Sequence, residues 1–154
     1  MSKFVSRPVV MGTHGMVTST HYLASMAGLR ILLKGGNAVD AGAAMWFALT
    51  VLEPWIVGVA GESPILIYVS EEDRVVAVNG QGPAPKAATI EWFKENNYEL
   101  IPPDGFLPAV VPGALDAWIL ALSHYGTMKL EDVIEPAIEL AAEGFPVTTN
   151  FERS

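Results

Sequence analysis

The chain has 154 residues, a formal net charge of −8 at pH 7 and no cysteine, which excludes disulfides, zinc thiolates and cysteine nucleophiles. It is 51% hydrophobic and only 17% charged, against about 25% in typical soluble domains, so intrinsic disorder is excluded. The sequence has no cluster of lysine and arginine of the kind that binds nucleic acid. Its longest clearly apolar run is shorter than the roughly 20 residues that a membrane-spanning helix needs.

The first residues are predicted to form an extended arm. Residues 1–15 contain helix-breaking proline and glycine, and they have no apolar core of the kind found in signal peptides, so we expect a cytoplasmic protein. Within and after this arm, residues 9–11 and 16–19 have the apolar, β-branched composition of short strands.

The first predicted helix follows the arm. Apolar residues at helical spacing predict that it runs to about Lys34 and is capped at its start by Ser19 or Thr20. Two glycines, Gly35 and Gly36, follow directly and are expected to end it, because glycine readily adopts the left-handed conformation found after helices.

A second helix is predicted to begin after Asn37 and to end near Leu52. Asn37 is a favourable cap, and Asp40 falls in the first turn, where the helix dipole favours a carboxylate. Small residues form one side of this helix and large apolar residues cover most of the remainder. We therefore expect it to be buried on most sides.

The middle of the chain is predicted to contain a β-hairpin. Residues 65–69 and 74–78 are apolar strands joined by an acidic turn at 71–73. Both strands are nearly continuous apolar runs, which predicts that both faces of the hairpin are covered. Glycine-rich loops precede and follow it, at 55–64 and 79–84.

The C-terminal part of the chain is predicted to be mainly helical. Helices are expected over residues 90–96 and 113–125, separated by a proline-rich loop. A further helix capped by Thr127 is expected to reach Glu135. Pro136 is expected to start yet another helix, because proline is tolerated in the first turn and disfavoured in the interior.

The residues of this chain by themselves do not form a recognisable catalytic site. Gly61-Glu62-Ser63 begins like a nucleophile elbow, but the final glycine is missing and the segment runs from a loop into a strand. His14, His21 and His124 are not spaced for a Ser-His-acid triad or for a metal site. We therefore expect no metal, no cofactor and no small independent hydrolase.

Two carboxylates with apolar neighbours are candidates for acid–base chemistry. Glu53 is better interpreted as a helix-end carboxylate bonded to nearby backbone amides. Glu62 lies in the glycine-rich loop, and its role stays open.

Several short segments occur in an order that is known from one enzyme family. They are Met16–Ser25, Lys34–Ala41, Glu53-Pro54, Ala84-Pro85, Val111–Gly113, Tyr125–Thr127 and Pro136–Val147. In these segments the chain resembles the start of the large subunit of the γ-glutamyltranspeptidase (glutathione hydrolase) family. The resemblance begins at about residue 8, and it makes residues 16–154 an N-terminal portion of that subunit.

The resemblance implies an α+β fold that is part of the four-layer αββα sandwich of the N-terminal nucleophile hydrolases. In this family the precursor cuts itself in two, and the new N-terminal threonine of the small subunit attacks an amide carbonyl, with its own amine as base. That threonine lies far downstream, so no catalytic residue is expected here; Thr148-Thr149-Asn150 is in the wrong place.

The resemblance also implies the partners of the chain. These are the remainder of the large subunit, the catalytic small subunit and a small-molecule amide substrate, with a heterotetramer as one arrangement and with neither nucleic acid nor membrane. The alternative is a non-catalytic interaction module or fragment that uses the same fold for binding.

One position departs from the pattern of the family. Members that act on γ-glutamyl compounds carry an arginine after the hairpin, which pairs with the substrate α-carboxylate, and here Gln81 stands in its place. Loss of such a charge-assisted pair costs about 1.5–3 kcal/mol of binding. The resemblance therefore implies an acylase-like substrate without a free amino-acid head, bound by Gln81, Asn79 and Glu62, unless a basic residue outside this chain replaces the arginine.

Overall fold

A computed structural model of the protein describes residues 9–147 and Phe151. These residues form a mixed fold of α-helices and one two-stranded antiparallel sheet. In chain order the elements are α1 (Tyr22–Leu33), α2 (Ala38–Leu52), β1 (Ile65–Val69), β2 (Arg74–Val78), α3 (Ile90–Glu95), α4 (Ala114–Tyr125) and α5 (Leu130–Glu143), with one 3-10 turn (Ser70–Glu72) between the strands. In the part of the chain described, no helix combines the length and apolarity needed to cross a bilayer.

The arm is only partly described. Residues 9–11 and 16–19 form no strand, so the prediction of two short strands there is wrong. The side chains of residues 9–14 are exposed, and a strand without a neighbouring strand has no backbone partners. The start of the arm, residues 1–8, and the segment Thr148–Asn150 lie outside the described residues.

Helix α2 forms the centre of the fold, as its apolar composition predicts. It packs against α1, α4 and α5, and its side chains supply much of the buried core. Small residues allow the close approach of α1: a Cβ added to Gly28 would lie 2.6 Å from Cγ of Met45. The buried alanines of these two helices are Ala24, Ala27, Ala41, Ala43, Ala44 and Ala48.

The hairpin is confirmed, but the prediction that both of its faces are covered is wrong for the described residues. The pair Ile65 and Val78 is buried against the helices. On the opposite face, Leu66, Tyr68 and Val75 are 77%, 62% and 63% exposed. Side chains alternate between the two faces of a strand, and the helices pack on one of these faces. Neighbouring residues along each strand therefore differ in exposure.

The start of α1 is capped by His21 rather than by Ser19 or Thr20. The imidazole Nδ1 of His21 accepts the backbone N–H of Leu23 at 3.2 Å. The two hydroxyls are used elsewhere: Ser19 donates to the carbonyl of His21 at 2.8 Å, and Thr20 donates to the carboxylate of Glu53. The interpretation of Glu53 as bonded to backbone amides is therefore also wrong, because its side chain accepts a hydroxyl from the start of α1.

The C-terminal region forms one helix where two were predicted. Helix α5 continues through Pro136, although proline removes one helical hydrogen bond. Val133, Pro136 and Ala137 are buried, so apolar packing offsets the missing bond. Thr127 does not cap this helix, because its side chain is bound to Asp40.

The carboxylate of Asp40 is fully buried and joins the start of α2 to the loop between α4 and α5. It accepts the N–H of Asn37 at 2.8 Å, the hydroxyl and N–H of Thr127 at 2.7 and 3.0 Å, and the N–H of Met128 at 3.2 Å. The Asn37 amide adds a bond to the carbonyl of Tyr125 at 2.6 Å. A buried charge is tolerated where donors surround it in this way.

Replacing this carboxylate is expected to destabilise the fold strongly. Asp40→Ala leaves the donors of Asn37, Thr127 and Met128 without an acceptor in the interior, which costs about 3–5 kcal/mol. We expect a lower unfolding midpoint for the full-length protein and faster hydrogen exchange at the amides of Thr127 and Met128. Asp104→Ala, which removes the same charge from an exposed loop, is the matched control. Equal stability of the two variants would contradict the role of Asp40.

The ion pair between α1 and α5 predicts an acid-sensitive contribution to stability. Arg30 donates two hydrogen bonds to Glu139, one at 2.9 Å, and this lowers the pKa of the Glu139 carboxyl below its ordinary value. A lowered pKa stabilises the folded state above the ordinary glutamate pKa, and the gain is lost as pH falls through the lowered value.

We therefore expect Glu139→Gln to be slightly less stable at neutral pH and to lose less stability on acidification. Unfolding curves between about pH 3 and about pH 7 measure this difference. The side chains are 40% and 41% exposed, so the effect is small. Parallel stability profiles of the two proteins across this range would argue against the linkage.

Candidate functional site

Three loops meet at one end of the hairpin, where they hold each other by backbone hydrogen bonds. They are the loop before β1, the loop after β2 and the segment that leads into α4. The bonds, with the donor first, are Ser63 N–H to Gly80 O (3.1 Å), Val111 N–H to Pro83 O (3.0 Å), Gly113 N–H to Gly61 O (3.1 Å) and Ala114 N–H to Gly61 O (3.0 Å). This junction fixes the loop after β2 against the start of α4.

Glycines are required where these backbones approach each other. A Cβ added to Gly80 would lie 2.1 Å from the carbonyl oxygen of Ser63, and one added to Gly82 would lie 1.6 Å from that of Val111. At Gly113 it would lie 2.7 Å from the carbonyl oxygen of Gly80. A side chain at any of these positions would force the loops apart.

A groove of about 470 Å³ opens beside this junction. One wall is formed by β2 and the loop after it, from Val76 to Pro83. The other wall is a stripe along α4 in which Asp116, Leu120 and His124 follow each other at intervals of about one helical turn. The volume lies within the range of small-molecule clefts, about 300–1,000 Å³.

The structure brings two of the three predicted site residues into this groove. Asn79 and Gln81 both line it, and both are exposed. The side-chain oxygen of Asn79 accepts the backbone N–H of Gln81 at 3.1 Å, which shapes the turn between them. Among residues 9–147, no hydrogen bond occupies the Gln81 side-chain amide, so it is available to a ligand as donor and acceptor.

The third predicted residue, Glu62, is exposed and does not line the groove. Its neighbour Ser63 is part of the packing: the hydroxyl oxygen accepts the indole N–H of Trp118 at 2.9 Å. His124 bonds locally, with Nδ1 at 2.9 Å from Oγ of Ser123. The partner of Ser63 is thus a tryptophan and not a histidine.

Sequence reasoning missed Asp116 and His124 as groove residues. Their spacing on α4 places them on one stripe with Leu120, and that spacing is visible in the sequence. What the spacing cannot show is which element faces the stripe. In the described lining of the groove, polar side chains are two amides, one carboxylate, one imidazole and the phenol of Tyr125, without lysine or arginine. Such a groove can bind a small polar molecule through hydrogen bonds, and it offers no pair of nucleophile and base.

Comparison with known proteins places the chain in one family. The family model described as gamma-glutamyltranspeptidase matches residues 24–154. The chain is 44% identical over 142 residues to the glutathione hydrolase-like YwrD proenzyme of Bacillus subtilis (strain 168), covering 92% of this chain and 27% of the relative. It is 42% identical over 146 residues to the acylase ACY 1 proenzyme of Pseudomonas sp. (strain SE83), covering 89% and 26%.

Solved structures agree with the sequence comparison. The crystal structure of Helicobacter pylori gamma-glutamyltranspeptidase matches with a TM-score of 0.84 and 34% identity, over 95% of this chain and 42% of that chain. The chain belongs to the γ-glutamyltranspeptidase family, as the order of its motifs predicts. It spans about a quarter of the length of the curated relatives named above, 27% and 26%.

The loop junction can be tested at Gly82. We expect Gly82→Ala to lower stability by about 1–3 kcal/mol, because the added methyl overlaps the carbonyl of Val111 and must displace it. Gly58→Ala is the matched control, since a Cβ there would meet no atom closer than 3.9 Å. Thermal unfolding of the full-length variants measures the difference. A Gly82→Ala protein as stable as the control would show that the junction is not tightly packed.

Proposed function

We propose that this chain is the N-terminal portion of the large subunit of an amide-bond hydrolase or acyltransferase. Its family membership supports this, and so do relatives that are named proenzymes and of whose length the match covers only 27% and 26%. Ser123 Oγ lies 2.9 Å from His124 Nδ1, but Ser123 does not line the groove, and Ser63 is bound to Trp118, which suits a chain whose catalytic threonine lies in another subunit.

The reaction would proceed through an acyl-enzyme. The hydroxyl of the N-terminal threonine attacks the amide carbonyl, its own amine accepts the hydroxyl proton, and that proton passes to the leaving amine as the C–N bond breaks. Water or an acceptor amine then attacks the ester and regenerates the threonine. In this scheme the present chain binds the acyl part of the substrate in the groove between β2 and α4.

The substrate would be an amide without a free amino-acid head. The observation that carries this proposal is Gln81, which lines a groove whose described residues include no cation to pair with an α-carboxylate. An amide side chain offers hydrogen bonds but no charge-assisted fork. An acylase proenzyme that is 42% identical to this chain shows that enzymes of this kind occur among its relatives.

The remainder of the protein would complete the sandwich. The face of the hairpin that carries Leu66, Tyr68 and Val75 is apolar and exposed, and both strands have a free edge in the described residues. Free strand edges and apolar faces are usually covered in native proteins. We propose that the rest of the large subunit and the small subunit cover them, giving the four-layer αββα arrangement.

The substrate proposal is tested with the full-length protein and two anilides. We expect kcat/KM for butyryl-p-nitroanilide to exceed that for γ-glutamyl-p-nitroanilide by about tenfold or more, since a lost charge-assisted pair costs about 1.5–3 kcal/mol. Gln81→Arg should raise the value for the γ-glutamyl substrate by a similar factor. Ala87→Arg, at an exposed position outside the groove lining, is the matched control.

A marked preference of the unaltered enzyme for the γ-glutamyl anilide would end the acylase proposal. A full-length protein that neither cleaves itself nor hydrolyses any anilide would instead favour the non-catalytic module.

A further inference from the structure

Asp116 lies in the first turn of α4, at the end of the helix that approaches the loop carrying Gln81. A Cβ added to Gly113, at the start of α4, would be 2.7 Å from Gly80 O and 3.2 Å from Gly82 N. A Cβ added to Gly80 would in turn lie 2.7 Å from Cβ of Ala117. Asp116 lies between these two contacts on the helix and lines the groove.

Asp116 is the acidic side chain of this groove, whose lining in the described chain includes no lysine or arginine. The nearby Arg74, which interacts with the groove-lining Tyr125, is paired with Glu72. The side chain of Asp116 is exposed, and within residues 9–147 no ion pair or hydrogen bond occupies the carboxylate. It is therefore free to accept hydrogen bonds from a ligand, and it repels an anion placed beside Gln81.

We propose that Asp116 is a specificity-determining residue of this site, which makes the groove a subsite for acyl groups that end in an ammonium and disfavours those that end in a carboxylate. The inference rests on the proposed function and deepens it: Gln81 removes the attraction for a carboxylate, and Asp116 adds a repulsion. Because the groove is open to water, screening keeps the selectivity at about tenfold between a cationic and an anionic ligand of equal length.

Two amides of equal chain length test the inference by binding, without the need for turnover. 4-Aminobutyramide carries the ammonium, and glutaramate carries the carboxylate. We expect ligand-observed NMR titration of the full-length protein to give about tenfold tighter binding of 4-aminobutyramide. In Asp116→Asn, which keeps the size of the side chain, the ratio of the two dissociation constants should fall toward one.

Asp132→Asn is the matched control, because Asp132 also lies in the first turn of a helix but outside the groove lining. It changes the net charge equally and should keep the tenfold ratio, which separates a local effect from a general one. An unchanged ratio in Asp116→Asn, tighter binding of glutaramate by the unaltered protein, or no binding of either amide would each overturn the inference.

The same proteins separate this inference from the proposed function. Cleavage of butyryl-p-nitroanilide reports whether the enzyme is an amide hydrolase, whatever Asp116 does. The binding ratio reports on Asp116 alone. If the protein cleaves the anilide but the binding ratio is the same in Asp116→Asn, the subsite is rejected and the hydrolase is retained. If the ratio falls in Asp116→Asn but no anilide is cleaved, the hydrolase is rejected.

Discussion

The buried carboxylate of Asp40 is the interaction on which the rest of this structure depends. It is fully buried, yet donors from Asn37, Thr127 and Met128 surround it, so its charge costs little to bury. Through these bonds the start of α2 holds the loop that ends α4. Since α2 is the core helix, this attachment sets where α4 lies, and the position of α4 decides which of its side chains face β2. The groove therefore depends on a contact that lies outside it.

A second constraint comes from the loops at the other end of α4. Gly80, Gly82 and Gly113 let three backbones come together without side chains between them. Helix α4 is thus held at both ends, by a buried carboxylate at its C-terminal end and by backbone hydrogen bonds at its N-terminal end. A wall fixed in this way keeps polar groups at constant separation across a groove, which favours selective binding of a small molecule.

These features agree with a chain that contributes binding surface to a larger enzyme. The groove holds amides, a carboxylate and an imidazole, and the described residues place no activated nucleophile there. The hairpin leaves an apolar face open, although Ile65 and Val78 on its other face are buried in the core. Both observations suit the proposed function, and the chain spans about a quarter of its curated relatives, 27% and 26%. The charged and polar side chains of the groove would then select the substrate, and catalytic residues in another part of the enzyme would cleave the amide bond.

The order of short motifs in the sequence predicts the family. Helical spacing, Asn37 as a cap and two apolar runs joined by an acidic turn are local signals, and they predict α1, α2, the hairpin, α3 and α4. The sequence also singled out Gln81 and Asn79. The tertiary structure alone decided the contacts between distant segments. Asp40 binds Thr127, which is 87 residues away in the sequence. His21 caps α1, while Thr20 binds Glu53. Helix α5 continues through Pro136, which is buried. The tertiary structure also left one face of the hairpin exposed and brought Asp116 and Gln81 into the lining of one groove. The physical reason is the same in each case. A local sequence pattern predicts which side chains lie on one face of a helix or strand, but the packing of the whole chain decides which residues contact that face.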